Sequence, residues 1–422
     1  MSKMEIKNSF VRIDRRVPGV LYEPIQKNGK EHIAILTMHS DEDYLDFPTG
    51  PEMAARGYTA LNVNVMNKEA IIFGQPEKMK AVKAAVLYLR SLPYVEKIIL
   101  MGHSGGGTLM SAYQAIAEKG ASIFKGDDML YPYPDDEELP MADGIMFLDS
   151  NWGNAAMQLF SLDPGVITEG DGVNINESLS LFSRENGFAK EDTKYTEDFV
   201  HRFLSMQGKR NNRLVEEALE RVKELDNKKG KYMDDEPFII TGAAQGFFNN
   251  KLYAQDIRFM SHTKDEHLQL YPDGTRKTEV VHSLRKADNF EGLTSSFWEG
   301  ARILSVRTYL SSYAVRTKED YGYNEDSLWG VDFDTTYACP IGNVKHISVP
   351  VLVMGMTAGW EFMASETIYN EAKSKDKSIA FVYGANHKFE PAKHLEKYPG
   401  EFGDTMKTVH DYIDEWLSED RF

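Results

Sequence analysis

Short apolar segments alternate with amphipathic ones through the first 150 residues, and this alternation most constrains the fold. Each apolar segment is too short for a helix and bulky enough for a buried strand. The segments are His32–Met38, Tyr58–Met66, Lys97–Met101 and Gly144–Leu148. Helical patterns lie between them; after Pro76, for example, Met79, Val82 and Val86 share one helix face. Repeated strand–helix alternation predicts a mostly parallel sheet flanked by helices on both faces, an α/β fold.

The alternation stops after the strand that ends near Leu148. Residues 151–345 are rich in Tyr and Phe and show helical patterns at Glu191–Leu204, Asn212–Leu225 and Ser295–Ser312. Strand and helix patterns then return at Val349–Met356, Ser378–Tyr383 and Glu401–Leu417. We therefore predict one core domain formed by residues 1–150 and 346–422, interrupted by a large, mainly helical cap at residues 151–345.

Composition excludes several classes of protein. The 422 residues include 48 Lys or Arg and 65 Asp or Glu, which gives a formal net charge of −17. Polyphosphates and anionic membranes repel such a chain, so neither nucleic acid nor membrane is an expected partner. Cys339 is the single cysteine and forms no internal disulfide or cysteine zinc site. Without a signal segment or metal-binding histidine spacing, we expect a cytoplasmic protein that needs no metal or cofactor.

A glycine-rich turn around Ser104 carries the clearest chemical signal. The sequence Gly102-His103-Ser104-Gly105-Gly106-Gly107 follows a predicted strand and opens a predicted helix. This G-x-S-x-G pattern forces a sharp turn that exposes the serine oxygen, and glycines avoid clashes within the turn. The N-terminus of the following helix points its N–H groups at charge that develops near the serine. The pattern predicts a nucleophilic serine.

On these motifs the sequence resembles the α/β-hydrolase superfamily. The resemblance covers Lys30–Ala155 and Ile347–Leu417, and it includes a late strand followed by a histidine. It implies an α/β-hydrolase fold, and the position after the fourth predicted strand is where this superfamily inserts lids. It also implies that His387, which follows the strand Ser378–Tyr383, is the base that activates Ser104.

The acid that orients His387 has three candidates. The resemblance implies a carboxylate near Ala358 or Gly359, but neither position holds one. Asp149, which follows the fourth predicted strand as in some members of the superfamily, is the preferred acid. Glu361 and Glu366 are the alternatives.

Two backbone N–H groups are needed to stabilise an oxyanion. The resemblance implies that Gly105, next to the nucleophile, supplies one of them. The other is expected from the loop after Ile33–Met38, where Asp41 is the preferred donor and Ser40 the alternative.

These residues predict a serine hydrolase that cleaves carboxylic esters, lactones included, through an acyl-enzyme. The aromatic-rich cap suggests a bulky apolar or aromatic small-molecule substrate. The same triad could serve a C–C bond hydrolase, an amide hydrolase or an acyltransferase, since the fold hosts all of these. A non-catalytic ligand-binding protein on the same scaffold is a further alternative. The oligomeric state stays open, and a homo-oligomer is compatible with the sequence.

Overall fold

A central sheet of ten strands forms the core of the protein. The computed structural model describes residues 4–65, 74–170, 174–232, 234–243, 251–287, 300–419 and 421–422. The strands of the protein are β1 (Ile6–Asp14), β2 (Val17–Pro24), β3 (Ile33–Thr37), β4 (Thr59–Val63), β5 (Lys97–His103), β6 (Gly144–Leu148), β7 (Pro237–Thr241), β8 (His262–Leu270), β9 (Arg276–His282), β10 (Ala301–Ser305), β11 (Arg316–Tyr323), β12 (Leu328–Asp332), β13 (Val351–Met356) and β14 (Lys377–Val382). The order in the central sheet is β1-β2-β4-β3-β5-β6-β13-β14-β8-β9. Neighbours from β4 to β8 pair in parallel, whereas β1-β2, β2-β4 and β8-β9 are antiparallel.

Helices cover both faces of this sheet. They are α1 (Thr49–Ala54), α2 (Gln75–Ser91), α3 (Gly106–Lys119), α4 (Asn154–Phe160), α5 (Glu197–Asp226), α6 (Leu252–Gln255), α7 (Val306–Ser312), α8 (Pro340–Asn343), α9 (Met363–Glu371) and α10 (Thr405–Leu417). Apolar residues of α2, α3 and α9 pack on one face, and those of α1 and α10 pack on the other. Strand β3 shows why both faces are covered: Ala34 and Leu36 join the first cluster, and Ile33 and Ile35 join the second. The predicted sheet with helices on both sides is confirmed.

The predicted boundaries of the cap need correction. Strands β8 and β9 fall within residues 151–345, yet β8 pairs with β14 and extends the central sheet. The sequence did not reveal these two strands, because a hairpin at the edge of a sheet buries only part of one face. Strand β8, for example, reads HTKDEHLQL and has three exposed residues at its centre. Residues 262–282 therefore belong to the core sheet.

The remainder of the predicted cap contains short strands as well as the helices that make up most of its regular structure. The long helix α5 packs Leu214 and Val215 against Phe238 of β7 and Leu310 of α7. Strand β7 pairs with β10, and β11 pairs with β12, in separate two-stranded sheets. Only the last part of the predicted helix Ser295–Ser312 is helical, as α7, and strand β10 precedes α7. Residues 295–299 of this predicted helix and Met66 of the predicted second strand lie outside the described residues. None of the helices in the described ranges combines the length and the apolar character that a membrane crossing requires.

Two leucines of α2 test the predicted burial. Leu89 is fully buried and Leu87 is 50% exposed on the same helix. Leu89→Ala should lower the free energy of unfolding by about 2–5 kcal/mol, because it removes buried methyl groups and leaves a cavity. Leu87→Ala, the matched control, should change it by no more than about 0.5 kcal/mol. Urea denaturation followed by circular dichroism measures both values, and equal losses would contradict the packing of α2.

Candidate active site

Ser104 lies in a strained turn between β5 and α3. Its backbone is in the left-handed region, with φ of 52°, which costs a non-glycine residue free energy. Neighbouring glycines let the turn close: a Cβ on Gly102 would lie 2.5 Å from Cα of Gly107. A Cβ on Gly106 would lie 2.8 Å from the carbonyl oxygen of Met38. The turn therefore depends on the glycines that the sequence supplies, and it sets Ser104 at the carboxyl edge of the sheet.

Asp149 and His387 meet at the same edge. Asp149 directly follows β6, and the Nδ1 of His387, in the loop after β14, lies 2.6 Å from Asp149 Oδ2. The other carboxylate oxygen of Asp149 accepts the N–H of Met356 at 2.8 Å, and its own N–H donates to Met354 at 2.7 Å. Asp149 also has a positive φ of 46°. Strand β13 thus fixes Asp149 in one orientation, with one carboxylate oxygen left for His387.

His103 connects the Ser104 turn to His387. The two imidazole rings lie 4.4 Å apart between centroids, and His103 Nε2 is 2.5 Å from the carbonyl oxygen of His387. Since that oxygen only accepts, Nε2 carries the proton and Nδ1 accepts the hydroxyl of Tyr44 at 2.6 Å. Burial holds the pKa of His103 well below its usual value, which keeps the ring neutral. The residue before Ser104 therefore holds the loop that carries His387, a role that the sequence alone did not reveal.

The two alternative acids have different surroundings. Glu361 offers a carboxylate oxygen within 4.8 Å of ligand atoms of both Asp149 and His387. Glu366 is bonded elsewhere: its Oε1 lies 2.8 Å from His267 Nε2, and its carboxylate accepts the N–H groups of residues 264 and 265. Asp149 and Glu361 therefore lie beside His387, whereas Glu366 is hydrogen-bonded to His267.

Two carboxylates control the charge of His387. Burial opposes the imidazolium form, but the charges of Glu361 and Asp149 and the bond to Asp149 raise the pKa of His387 above its ordinary value. Burial also raises the pKa of Asp149, and the bond to His387 opposes that rise. Asp149, Glu361 and His387 are also the one group in the described residues whose spacing could hold a metal ion. A cation there would compete for the nitrogen and oxygen that join His387 to Asp149.

The expected oxyanion donors are placed differently. Gly105 lies at the start of α3, and a Cβ there would be 2.5 Å from Ser40 Oγ, so the two loops touch. The N–H of Asp41, the preferred second donor, instead donates to His39 Nδ1 at 3.0 Å, as does the N–H of Glu42 at 2.9 Å. This corrects the expectation for Asp41, because a ring nitrogen takes its N–H. Within the described ranges, the N–H groups of Gly105 and Ser40 have no hydrogen-bond partner.

The side chain of Asp41 belongs to a buried polar network. Its Oδ1 accepts from Lys78 Nζ at 2.9 Å and from the Tyr313 hydroxyl at 2.7 Å. Its Oδ2 accepts from Ser40 Oγ at 3.1 Å and Asn154 Nδ2 at 3.3 Å. Burial would raise the pKa of Asp41, but the neighbouring cations hold it far below its ordinary value, so the group is ionised. A signal for this network was present in the sequence, because Lys78 is a charged residue on the apolar face of a predicted helix.

A cavity of about 300 Å³ opens beside Ser104. Its described walls are mostly polar or charged, with Met157 and Trp360 as the large apolar side chains. The lining residues are His39, Asp41, Glu42, Ser104, Gly105, Asn151, Asn154, Met157, Lys251, Arg302, Trp360 and Glu361. These walls differ from the apolar pocket that the aromatic-rich cap suggested. Cap aromatics such as Phe259, Tyr323 and Trp329 instead line a separate cavity of about 780 Å³ that does not include Ser104.

Comparisons with known proteins give structural likeness without sequence likeness. No protein-family model matches the chain, and no curated protein matches its sequence. Among solved structures, the hypothetical protein PA2218 from Pseudomonas aeruginosa is 14% identical, over 98% of this chain and 94% of that chain, with a TM-score of 0.41. Est1E from Butyrivibrio proteoclasticus is 11% identical over 98% of both chains, with a TM-score of 0.39. The α/β hydrolase GrgF from Penicillium sp. sh18 is 10% identical over 98% of both, with a TM-score of 0.42.

The strand order and the Ser104 turn define the fold. Parallel strands in the order β4-β3-β5-β6-β13-β14, with antiparallel β1 and β2 beyond β4 and a serine on the turn after β5, form the α/β-hydrolase arrangement. The protein therefore has the α/β-hydrolase fold, as the G-x-S-x-G turn predicted. Candidate residues at the ends of β5, β6, β13 and β14 lie at one edge of the sheet, where α/β sheets place their sites.

The titration of His387 tests the electrostatics of the site. Glu361→Gln should lower the pKa of His387, because it removes a negative charge that favours the imidazolium form. Glu366→Gln is the matched control and should leave this pKa unchanged, because Glu366 is bonded to His267. NMR of labelled imidazole rings measures the titration, and the His387 signal is assigned from its loss in His387→Asn. An equal response to both variants would contradict the placement of Glu361.

Proposed function

We propose that this protein is a serine hydrolase that cleaves carboxylic esters through an acyl-enzyme. The observation that carries the proposal is the 2.6 Å contact between His387 Nδ1 and Asp149 Oδ2 beside the strained Ser104 turn. A histidine fixed in this way keeps its Nε2 as the nitrogen that can accept a proton from a nucleophile. Asp149 supplies the carboxylate that was missing after β13, which also weakens the non-catalytic alternative.

The proposed reaction has two halves. Ser104 Oγ attacks the ester carbonyl carbon while His387 Nε2 takes the serine proton, and the resulting imidazolium is stabilised by Asp149. When the tetrahedral intermediate collapses, the C–O bond to the alcohol breaks and His387 returns the proton to the departing alkoxide. Water, deprotonated by His387, then attacks the acyl-Ser104 ester and releases the acid and the free serine.

The oxyanion of each tetrahedral intermediate needs two donors. We assign them to the N–H groups of Gly105 and Ser40, with Ser40 replacing Asp41 as the second donor. The N–H of Gly105 lies at the start of α3, where the helix dipole also favours negative charge. The close approach of the loops that carry Gly105 and Ser40 supports this pairing, because both N–H groups must donate to the same oxygen atom. Lactones contain the same bond and fit the same mechanism.

The substrate class follows the walls of the cavity. A bulky apolar or aromatic substrate, which the composition of the cap suggested, has little support, because few large apolar side chains line the described walls. The volume of about 300 Å³ suits a small ester with polar groups.

Replacement of Ser104 tests the nucleophile. Ser104→Ala should reduce kcat on 4-nitrophenyl esters by about 10⁴-fold or more and should abolish labelling by a fluorophosphonate probe. Ser91→Ala, which removes an exposed hydroxyl at the end of α2, is the control and should retain rate and labelling. Mass spectrometry of the labelled peptide identifies the site, and turnover that survives in Ser104→Ala would refute the assignment.

Asp149→Asn tests the acid. The amide no longer favours the imidazolium or the correct tautomer, so kcat should fall by about 10⁴-fold with a small change in KM. Glu366→Gln should retain most of the rate, because its carboxylate holds His267. Steady-state kinetics on one ester measures all variants. A large loss in Glu361→Gln, with Asp149→Asn near the native rate, would move the role to Glu361.

A further inference from the structure

Arg302 is a cation on the wall of the Ser104 cavity that the proposed chemistry does not use. It comes from β10, in the segment inserted between β6 and β13, and its guanidinium stacks on the Tyr313 ring, 4.2 Å from the ring centroid. Its Nε is buried and has no hydrogen-bond partner, and no carboxylate of the described residues forms an ion pair with it. An unpaired polar atom in such a place costs free energy unless a ligand binds it.

Asp41 is a carboxylate whose pKa the charge of Arg302 lowers, but its oxygens are already occupied. Lys78, whose side chain is fully buried, forms the ion pair with Asp41, and Tyr313 donates to the same oxygen. Ser40 and Asn154 take the other oxygen. Arg302 acts on Asp41 only through its charge, without a direct bond. The Tyr313 side chain also interacts with Arg302, so the network satisfies Asp41 and leaves Arg302 Nε without a partner on a residue that lines the cavity.

A second cation lies on the same cavity. Lys251 is 1% exposed and lines the cavity together with Arg302. The acidic groups on the cavity are Asp41, which is paired with Lys78, Glu361, which faces His387, and Glu42, which is exposed. Lys251 has interactions of its own, so Arg302 is the cation that would repel a cationic substrate group and attract an anionic one beside Ser104.

We propose that the substrate is an ester with a carboxylate group, which Arg302 binds in the cavity beside Ser104. This inference rests on the proposed ester hydrolysis and specifies its substrate. A carboxylate matches the planar guanidinium and can accept two parallel hydrogen bonds from it. Arg302 then acts as a specificity residue: it holds the anionic end while Ser104 attacks the ester carbonyl.

Paired substrates test the proposal. The first pair is the mono-4-nitrophenyl ester of adipic acid and 4-nitrophenyl hexanoate, which differ by a carboxylate on the acyl part. The second pair is 4-carboxyphenyl butyrate and phenyl butyrate, which differ by a carboxylate on the alcohol part. We expect the native protein to prefer the anionic member of at least one pair in kcat/KM.

Arg302→Met should lower kcat/KM for the preferred anionic ester by about 10- to 100-fold and change that for its neutral partner by less than about threefold. Arg302→Lys should retain part of the preference. Arg316→Met is the matched control and should leave both values near native, because Arg316 pairs with Glu216 at the surface. Equal use of both esters in each pair, or an equal loss on both in Arg302→Met, would overturn the proposal.

The Ser104→Ala protein separates this inference from the proposed function. If Ser104 is the nucleophile, this variant binds the esters without turnover, and calorimetry should show tighter binding of the preferred anionic ester, lost in Ser104→Ala/Arg302→Met. Equal binding of both esters in the pair would contradict the proposed carboxylate-binding role of Arg302, even if the protein is a hydrolase. Continued turnover by Ser104→Ala would defeat the hydrolase proposal itself.

Discussion

The fixed position of Asp149 is the constraint on which the site depends. Its backbone N–H and one carboxylate oxygen both bond to β13, so the side chain cannot turn away from His387. The remaining oxygen meets His387 Nδ1 at 2.6 Å. An acid at the end of a buried strand is expensive to desolvate, and here the hydrogen bonds from the Met356 N–H and the His387 imidazole to the carboxylate offset that cost. The strained backbone of Asp149 is tolerated because its neighbours on the sheet hold it.

The site carries charge on two sides with different functions. On one side, Asp149 and Glu361 favour the imidazolium form of His387, which is the form that the proposed reaction requires when Ser104 loses its proton. On the other side, Lys78 neutralises Asp41, and Arg302 lies nearby. Buried charges are costly unless they are paired or solvated, and Lys78 is paired with Asp41, so Arg302 is the cation that we propose for the substrate.

Much of the fold could be predicted from the sequence, because buried parallel strands have continuous apolar runs and the serine turn requires its glycines. Residues 33–37 and 144–148 could be recognised as strands because every position in them is buried, which gives a short, mostly apolar run. Strand β8, in the hairpin at the edge of the sheet, could not be recognised, because exposed polar residues interrupt its apolar pattern. Ser104, His387 and Asp149 could be named from their places after strands. The hydrogen bond from the Asp41 N–H to His39 Nδ1 could not be predicted from the sequence, because it depends on how one loop folds back on itself.

The neighbours in the middle of the sheet are far apart along the chain. Strand β6 pairs with β13, and Asp149 is separated from its hydrogen-bond partner Met356 by 207 positions. During synthesis, β6 therefore leaves the ribosome long before the strand that must cover its edge. Until β13 and β14 emerge, that edge is an unpaired apolar template open to wrong partners. Nascent chains of this protein should accordingly need chaperones between the synthesis of β6 and that of β13 and β14, and a product truncated in this interval should aggregate.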